Sequence, residues 1–386
     1  MYSIDGFQFS GIHSGIKKSK LDLGLVYAKD GASFALVTTT NKFAAPGSIN
    51  ARAVQTSQDK LEILMVNSGN ANALTGKKGL NDIHFLLKNL GSLLKFDAKK
   101  GLLFSTGIIG KNLPLETITN SYKKLVSGLK NDAAAFSEAI CTTDLVQKVV
   151  HKKIIINNEE INILGTAKGS GMIQPNMATM LAFIFTDATI SSSSLRKMIK
   201  KVTAESFHRI TVDSDSSTND TFMILASNKK QKISQTDEKF LEALCEVAAE
   251  LAKKIIEDGE GCTKFVEIQI QKAKSKKEAR DIFYAIANSP LVKTAIFGEN
   301  PNFGRILCSA GKIKSSLVAD KVDLYFGSYQ LVKGGTILAY EKNLLDKYMK
   351  NKKLLITLDL NIGSSSFSGW TTDLSYDYVK INAEYN

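Results

Sequence analysis

The clearest feature in the pattern of apolar and polar positions is a change of texture between residues 165 and 187. Gly165-Thr-Ala-Lys-Gly-Ser-Gly-Met-Ile-Gln-Pro-Asn176 gathers three glycines, a lysine and a proline, which suits neither helix nor strand, so the spacing predicts a shaped loop. Met180 to Phe185 is an unbroken apolar run with two phenylalanines, the composition of a strand buried on both faces. Ala178 and Thr179 therefore stand where a loop enters a core strand. Upstream, Leu23 to Tyr27, Ser33 to Thr38 and Leu61 to Val66 read as strands between glycine turns, and Leu102 to Gly110 as a strand broken at Ser105-Thr106-Gly107. Ile118, Tyr122, Leu125 and Leu129 have helical spacing, and Lys152 to Glu160 reads as an exposed hairpin. Downstream, Ser191 to Ser194 cap a basic helix from Leu195 to Phe207. Phe240, Leu244, Val247, Leu251 and Ile255 mark a long helix ending by Gly259, and Ser275-Lys-Lys-Glu278 is a capping box. Strands are also expected at 265 to 270 and 353 to 360. Strands outnumber helices and no fixed repeat is visible, which predicts an α+β fold with helices packed on a mostly antiparallel double sheet.

Composition narrows the function classes. The chain has 386 residues with 44% hydrophobic and 23% charged, ordinary for a globular protein. Fifty Lys+Arg against 38 Asp+Glu give a net charge of +12, but the lysines are scattered and form no arginine-rich stripe, so nucleic acid is not the expected partner. Cys141, Cys245, Cys262 and Cys308 lie far apart without a C-x-x-C pair, and the four histidines are isolated; reduced cysteines and no metal site are expected. No apolar run approaches membrane length and the N-terminus lacks a basic region followed by an apolar core, so the expected location is the cytoplasm. The loop from Val212 to Thr221 lacks the glycine and terminal glutamate of an EF-hand, and G-x-x-x-x-G-K-[ST] is absent around residue 165.

The candidate chemistry centres on Thr179. A hydroxyl is a poor nucleophile until something takes its proton. If the Ala178–Thr179 peptide bond were broken, Thr179 would carry an α-amino group with a pKa of roughly 7.7–8.0, a base beside its own hydroxyl. The scission can be self-performed: Thr179 Oγ attacks the Ala178 carbonyl and water opens the resulting ester. The charge that develops needs donors, and Thr106 with the N–H of Gly107 is the candidate pair, though the glycine also reads as a bulge. Lys168 could stabilise the same charge or be a solvated loop lysine. Asn67-Ser-Gly-Asn-Ala-Asn-Ala73 is either a turn with side-chain hydrogen bonds or a pocket lining.

Several segments in the same order carry a resemblance: Gly11-Ile-His-Ser-Gly-Ile-Lys17, Asn67 to Ala73, Ser105-Thr-Gly107, Cys141-Thr-Thr-Asp144, Ala167-Lys-Gly-Ser-Gly-Met-Ile-Gln-Pro-Asn-Met-Ala-Thr-Met-Leu181, Arg209-Ile-Thr-Val-Asp213, Ser217-Thr-Asn-Asp220, Asp258-Gly-Glu-Gly261 and Ile381-Asn-Ala-Glu-Tyr385. With these the chain resembles the ornithine acetyltransferase (glutamate N-acetyltransferase) family of arginine biosynthesis. The resemblance implies an N-terminal-nucleophile-like double β-sheet flanked by helices, of the β-peptidyl aminopeptidase type, with a smaller C-terminal α/β portion at approximately 235–345. It also implies self-cleavage into an α chain, 1–178, and a β chain, 179–386, that stay associated as α2β2.

By the same resemblance Thr179 is the nucleophile, Thr106 and Gly107 stabilise the oxyanion, and Lys168 and Glu260 are catalytic and substrate-contacting. Thr142, Thr143 and Asn382 fall on or beside amino-acid-binding positions. Asn386 stands where family chains usually end on a hydroxyl residue, and Asn300 and Phe303 where they usually have Asp and Trp. The implied reaction is ping-pong transfer of an acetyl group from N2-acetylornithine to glutamate, without metal or bound cofactor. Acetyl-CoA is left open as a second acetyl donor. The alternative reading is a related self-processing aminopeptidase that releases its acyl group to water.

Overall fold

The computed structural model describes residues 2–174 and 180–384. Two compact units make up the chain: the first holds the residues up to His208 together with Asp215–Ile255, the second Arg209–Ser214 together with the residues from Ile256 onward. Each has its own sheet, with most ladders antiparallel in both.

In the first unit the sheet runs Gly101–Ile108, Lys60–Asn70, Leu23–Thr38, Thr221–Ala226, Leu181–Thr186, Glu159–Lys168, Lys148–Ile156, with Gln8–Ile12 also paired to Leu23–Thr38. The two strands expected at 23–27 and 33–38 are one long strand whose pairing register shifts between Tyr27 and Ala32. Its first half pairs with Gln8–Ile12 and Lys60–Asn70, its second half with Thr221–Ala226. The sheet folds over at that strand. Phe104 and Phe183 lie four ladder steps apart, about 19 Å if the sheet were flat, yet their rings are 6.2 Å apart. Phe9 and Phe185 likewise meet edge to face at 5.1 Å. Two leaves thus enclose one phenylalanine-rich core, into which Val26, Leu64, Val66 and Phe104 point from one leaf and Phe34, Leu164, Leu181 and Leu225 from the other.

Strand alternation gives the opposite face of the first leaf, Leu23, Leu25, Ile63, Met65 and Leu103, to the helix Gly76–Leu94 and to Ile118, Tyr122 and Leu125. The helix expected from 115 to 129 is two short ones, Leu115–Asn120 and Tyr122–Ser127, but its apolar positions are buried as their spacing requires. Over the second leaf, Val247 and Leu251 of the helix Glu238–Glu257 press on Gly165; a Cβ there would stand 2.7 Å from both. Gly165 is therefore a packing glycine inside the strand Glu159–Lys168, and the loop expected from 165 begins only at Gly169. The strand Leu181–Thr186 is buried along its whole length, as its composition demanded, and Ser191 caps the helix Ser192–Ala204 by accepting from the Ser194 amide.

The second unit's sheet runs Thr336–Ile337, Tyr329–Lys333, Asp323–Phe326, Lys353–Asp359, Phe265–Ala273, Ser365–Thr372, Ile210–Thr211. Helices Lys276–Ala287, Pro290–Phe297 and Phe303–Gly311 bury Ile282, Phe283, Val292 and Ile306 in the core formed with it. At the expected capping box, Ser275 accepts from the Glu278 amide, while the Glu278 carboxylate reaches one residue further back, to the Lys274 amide.

Candidate active site

In the first unit, strand ends and the loop before Thr221 meet around a cavity of about 10 Å³, the room one water molecule takes. Thr106, Lys168, Met180, Ser217, Asn219 and Asp220 line it. Thr106 belongs to Gly101–Ile108, which is continuous and not broken as expected. The irregularity sits instead in its parallel ladder, where Asn70 pairs with both Thr106 and Ile108. Gly107 has φ +129°, and a Cβ there would lie 2.4 Å from the Gly69 carbonyl carbon, so two backbones touch where only glycine fits.

The amide-rich segment from Asn67 to Ala73 braces this crossing. Ser105 Oγ donates to Asn67 Oδ1 at 2.6 Å and Asn67 Nδ2 donates to the Asn70 carbonyl at 2.8 Å. Asn219, from the opposite leaf, donates to the carbonyls of Ala71 (2.6 Å) and Ser105 (2.8 Å). Buried amides satisfied at both ends hold the Ser105-Thr106-Gly107 backbone in one place.

Lys168, the last residue of its strand, is 6% exposed and donates from Nζ to Thr106 Oγ1 at 3.1 Å. The reading of a solvated loop lysine is thereby overturned. A hydroxyl that accepts from an ammonium has its own hydrogen free and polarised for donation elsewhere. Such an O–H beside a glycine backbone suits a carbonyl oxygen that gains negative charge.

Next to Lys168 lies a carboxylate that the sequence reasoning did not single out. Asp144 accepts from the amides of Thr142 (2.9 Å) and Gly169 (2.8 Å) and from Lys148 Nζ (2.6 Å), with the Lys148 side chain fully enclosed. Burial pushes the Asp144 carboxyl up, but the ammoniums of Lys148 and Lys168 and these hydrogen bonds outweigh it and hold the group well below the usual carboxylate range. Asp144 thus ties the half-buried Thr142-Thr143 turn to the strand end that carries Lys168. The four-residue spacing of Asp144 and Lys148 was the available signal. Asp220 was also passed over. It is 1% exposed, and no donor is in hydrogen-bond geometry with either carboxylate oxygen among the described residues. Burial pushes it well above the ordinary range, offset only in part by the Met180 amide, Lys168 and Thr39.

On either side of residues 175–179 the chain is anchored. The Gln174 amide donates to the Asp215 carbonyl at 3.0 Å, and the Met180 carbonyl accepts from the Thr221 amide at 2.9 Å. Ala178, Thr179 and Asn386 lie outside the described residues.

In the second unit Glu260 is half-buried and its Oε2 accepts from Asn382 Nδ2 at 3.1 Å. Asn382 stands on the terminal helix Tyr376–Glu384. That helix sits tight on the loop, since a Cβ on Gly261 (φ +64°) would lie 2.3 Å from the Tyr378 amide nitrogen. Among the described residues no group of three or more His, Cys, Asp or Glu side chains is arranged to hold a metal ion.

A model of the ArgJ family matches residues 8–386. The chain belongs to the ArgJ family. As a member, it is 40% identical over 388 residues to the arginine biosynthesis bifunctional protein ArgJ of Shouchella clausii, covering 99% of this chain and 95% of that one. To the ArgJ of Thermotoga neapolitana it is 38% identical over 395 residues, with both chains covered in full. The crystal structure of ArgJ from Bacillus halodurans superposes with a TM-score of 0.51 at 34% identity, covering 53% of this chain and 98% of the solved one. The α+β architecture expected from the sequence, with helices packed on mostly antiparallel sheets, is the one the chain has, and it superposes on the ArgJ structure.

Proposed function

We propose that this ArgJ-family protein is the acetyltransferase of arginine biosynthesis that moves the acetyl group of N2-acetylornithine to glutamate. Its precursor cleaves itself between Ala178 and Thr179 into chains 1–178 and 179–386. The observation that carries the reading is the Lys168 ammonium on the Thr106 hydroxyl beside Gly107, a prepared site for an oxyanion, in a chain that belongs to this family from residue 8 to residue 386. Self-cleavage has separate support. The Bacillus halodurans chain is covered almost whole by just over half of this chain, the share that residues 179–386 make of it.

The chemistry follows from a threonine with a free α-amino group. Thr179 Oγ attacks the acetyl carbonyl of N2-acetylornithine while its proton passes to the α-amino group. The oxyanion is held by the Thr106 hydroxyl and the Gly107 N–H, both fixed before the reaction by the Asn67 and Asn219 brackets. Collapse breaks the C–N bond, the departing ornithine amine takes the proton back, and acetyl-Thr179 remains. The amine of glutamate then attacks this ester by the same steps in reverse, giving N-acetylglutamate and the free threonine. Lys168 and Glu260 are the charged contacts for the amino-acid portion, joined by Thr142, Thr143, Asn382 and Asn386. Acetyl-CoA, a bifunctional member's other donor, would enter as a co-substrate that acetylates Thr179.

No helix among the described residues is long and apolar enough to cross a membrane. We assign the enzyme to the cytoplasm, with its two fragments as an α2β2 assembly. Intact-mass analysis of the purified protein, paired with an acetyl-exchange assay between acetylornithine and glutamate, tests the reading. Two fragments meeting at 178/179 and transfer are expected; a single active chain, or hydrolysis of acetylornithine without acetylglutamate, would overturn it.

A further inference from the structure

Lys17 carries a charge that its surroundings do not balance. It closes the segment Gly11 to Lys17, one of those that carry the resemblance, and no step above uses it. The buried Asp22 carboxylate gathers that segment, accepting from the amides of Ser14 (2.6 Å), Gly15 (3.1 Å) and Lys17 (3.0 Å) and from the Ser14 hydroxyl (2.7 Å). The Lys17 side chain then runs along Gly69, where a Cβ would stand 2.8 Å from Lys17 Cγ. The same Gly69 meets Gly107, so the lysine stem lies against the crossing that carries the oxyanion donors. Its half-buried ammonium donates to the Cys141 carbonyl at 3.0 Å, directly before Thr142. That uses one of three N–H groups, and among the described residues no other acceptor takes the rest and no carboxylate pairs with it. The nearby acids are spent elsewhere, Asp22 on the backbone and Asp144 on Lys148 and two amides. Burial accordingly lowers the Lys17 pKa by more than Asp22, Cys141 and Asp144 raise it. The Lys17 and Lys168 ammoniums both act on the Cys141 thiol, which puts two cations near the start of the Thr142–Thr143 turn. A cation held partly out of water without an anion is costly, and an anionic ligand would offset that cost.

We propose that Lys17 is a specificity-determining residue whose ammonium receives the α-carboxylate of the amino acid, in N2-acetylornithine and in glutamate alike. The inference rests on the acetyl-transfer reading above. The two amino acids differ in their side chains, one ending in an ammonium and the other in a carboxylate, so a site that serves both halves of the reaction must read what they share. They share the α-carboxylate beside the reacting nitrogen. In N2-acetylornithine only that nitrogen and the α-carbon separate the acetyl carbon from this carboxylate. With the acetyl oxygen on Thr106 and Gly107, the carboxylate stays close to the crossing, and Lys17 spans from that crossing to the residue before Thr142. Lys168 already gives an N–H to Thr106 Oγ1; a second cation lets the oxyanion donor and the carboxylate be served together. Binding forms a charge-assisted hydrogen bond and moves no proton.

The test crosses enzyme variants with substrate variants. Wild type, Lys17→Met, Lys17→Gln and Lys17→Arg are assayed for acetyl transfer with N2-acetylornithine and with its α-carboxamide as donors, and with glutamate and its α-amide as acceptors. Wild type should favour each acid over its amide roughly 10–100-fold in kcat/KM, the scale of one hydrogen bond between charged groups. Lys17→Met, which keeps the stem on Gly69, should raise KM for both acids by about that factor, leave kcat within about threefold, and prefer acid over amide by less than about threefold. Lys17→Arg should recover part of the preference. If Lys17→Met does not fold, Lys17→Gln makes the same comparison. A variant that loses rate equally on acid and amide would overturn the proposal, because bracing the Cys141 carbonyl alone would then be the work of the lysine. Wild type that transfers acetyl but treats acid and amide alike would overturn it while leaving the acetyl-transfer reading in place, whereas wild type without transfer would overturn both.

Discussion

Lys168 Nζ donates to Thr106 Oγ1 across 3.1 Å, and both side chains are less than a tenth exposed. The two residues come from different leaves of the folded sheet, 62 positions apart in sequence. An ammonium shielded from water acts on a hydroxyl more strongly than it could at a surface. That link is what makes the hydroxyl a prepared donor.

Removing the donor tests the link directly. Thr106→Ala should lower kcat for acetyl transfer about 10²–10³-fold with little change in KM, the range seen when one oxyanion donor is lost. Thr106→Ser, which keeps the hydroxyl, should recover most of the rate in steady-state assays.

At Gly107 the sensitivity is steric. Gly107→Ala must push the backbone away from Gly69, because its Cβ would stand 2.4 Å from a carbonyl carbon at a φ of +129°. Strain at such a position costs about 1–3 kcal/mol, so the thermal midpoint should fall by several degrees. The transfer rate should fall further than the stability loss explains, since the displaced backbone carries the oxyanion N–H. Activity measured well below the new midpoint separates the two effects.

Asp144 and Lys148 form an enclosed pair, and breaking it should be worse than deleting it. Asp144→Ala leaves a buried ammonium without its carboxylate and should destabilise by about 3–5 kcal/mol in urea denaturation, while Asp144→Ala with Lys148→Met should recover much of the loss. The pH dependence has a definite sign. Asp144 is held below its ordinary carboxyl range, so its contribution is present above pH ~4 and is lost as pH falls toward the folded value. The stability advantage of wild type over the double variant should therefore shrink on acidification below pH ~4.

In the second unit, Asn382→Ala would free the Glu260 carboxylate from its 3.1 Å partner without touching the core. KM for acetylornithine should rise about three- to tenfold, the scale of one ordinary net hydrogen bond, with kcat and thermal midpoint close to wild type. A large drop in thermal midpoint would make the contact structural.

Local pattern by itself determined the buried strand at Leu181–Thr186, the cap at Ser191, the long helix over Glu238–Glu257 and the motif that places Thr179 behind a glycine-rich segment. These depend on neighbours within a few residues, where side-chain period and turn chemistry act. The fold-over at Leu23–Thr38 was not legible, because apolar alternation gives the faces of a strand but not the bend that brings Phe104 to Phe183. Nor was the state of Lys168, Asp144 and Asp220. Whether a charge is solvated, paired or stranded depends on groups tens of residues away and on how much water the packing excludes. The sequence named the residue types for the chemistry, and the tertiary structure decided which of them share a dry interior.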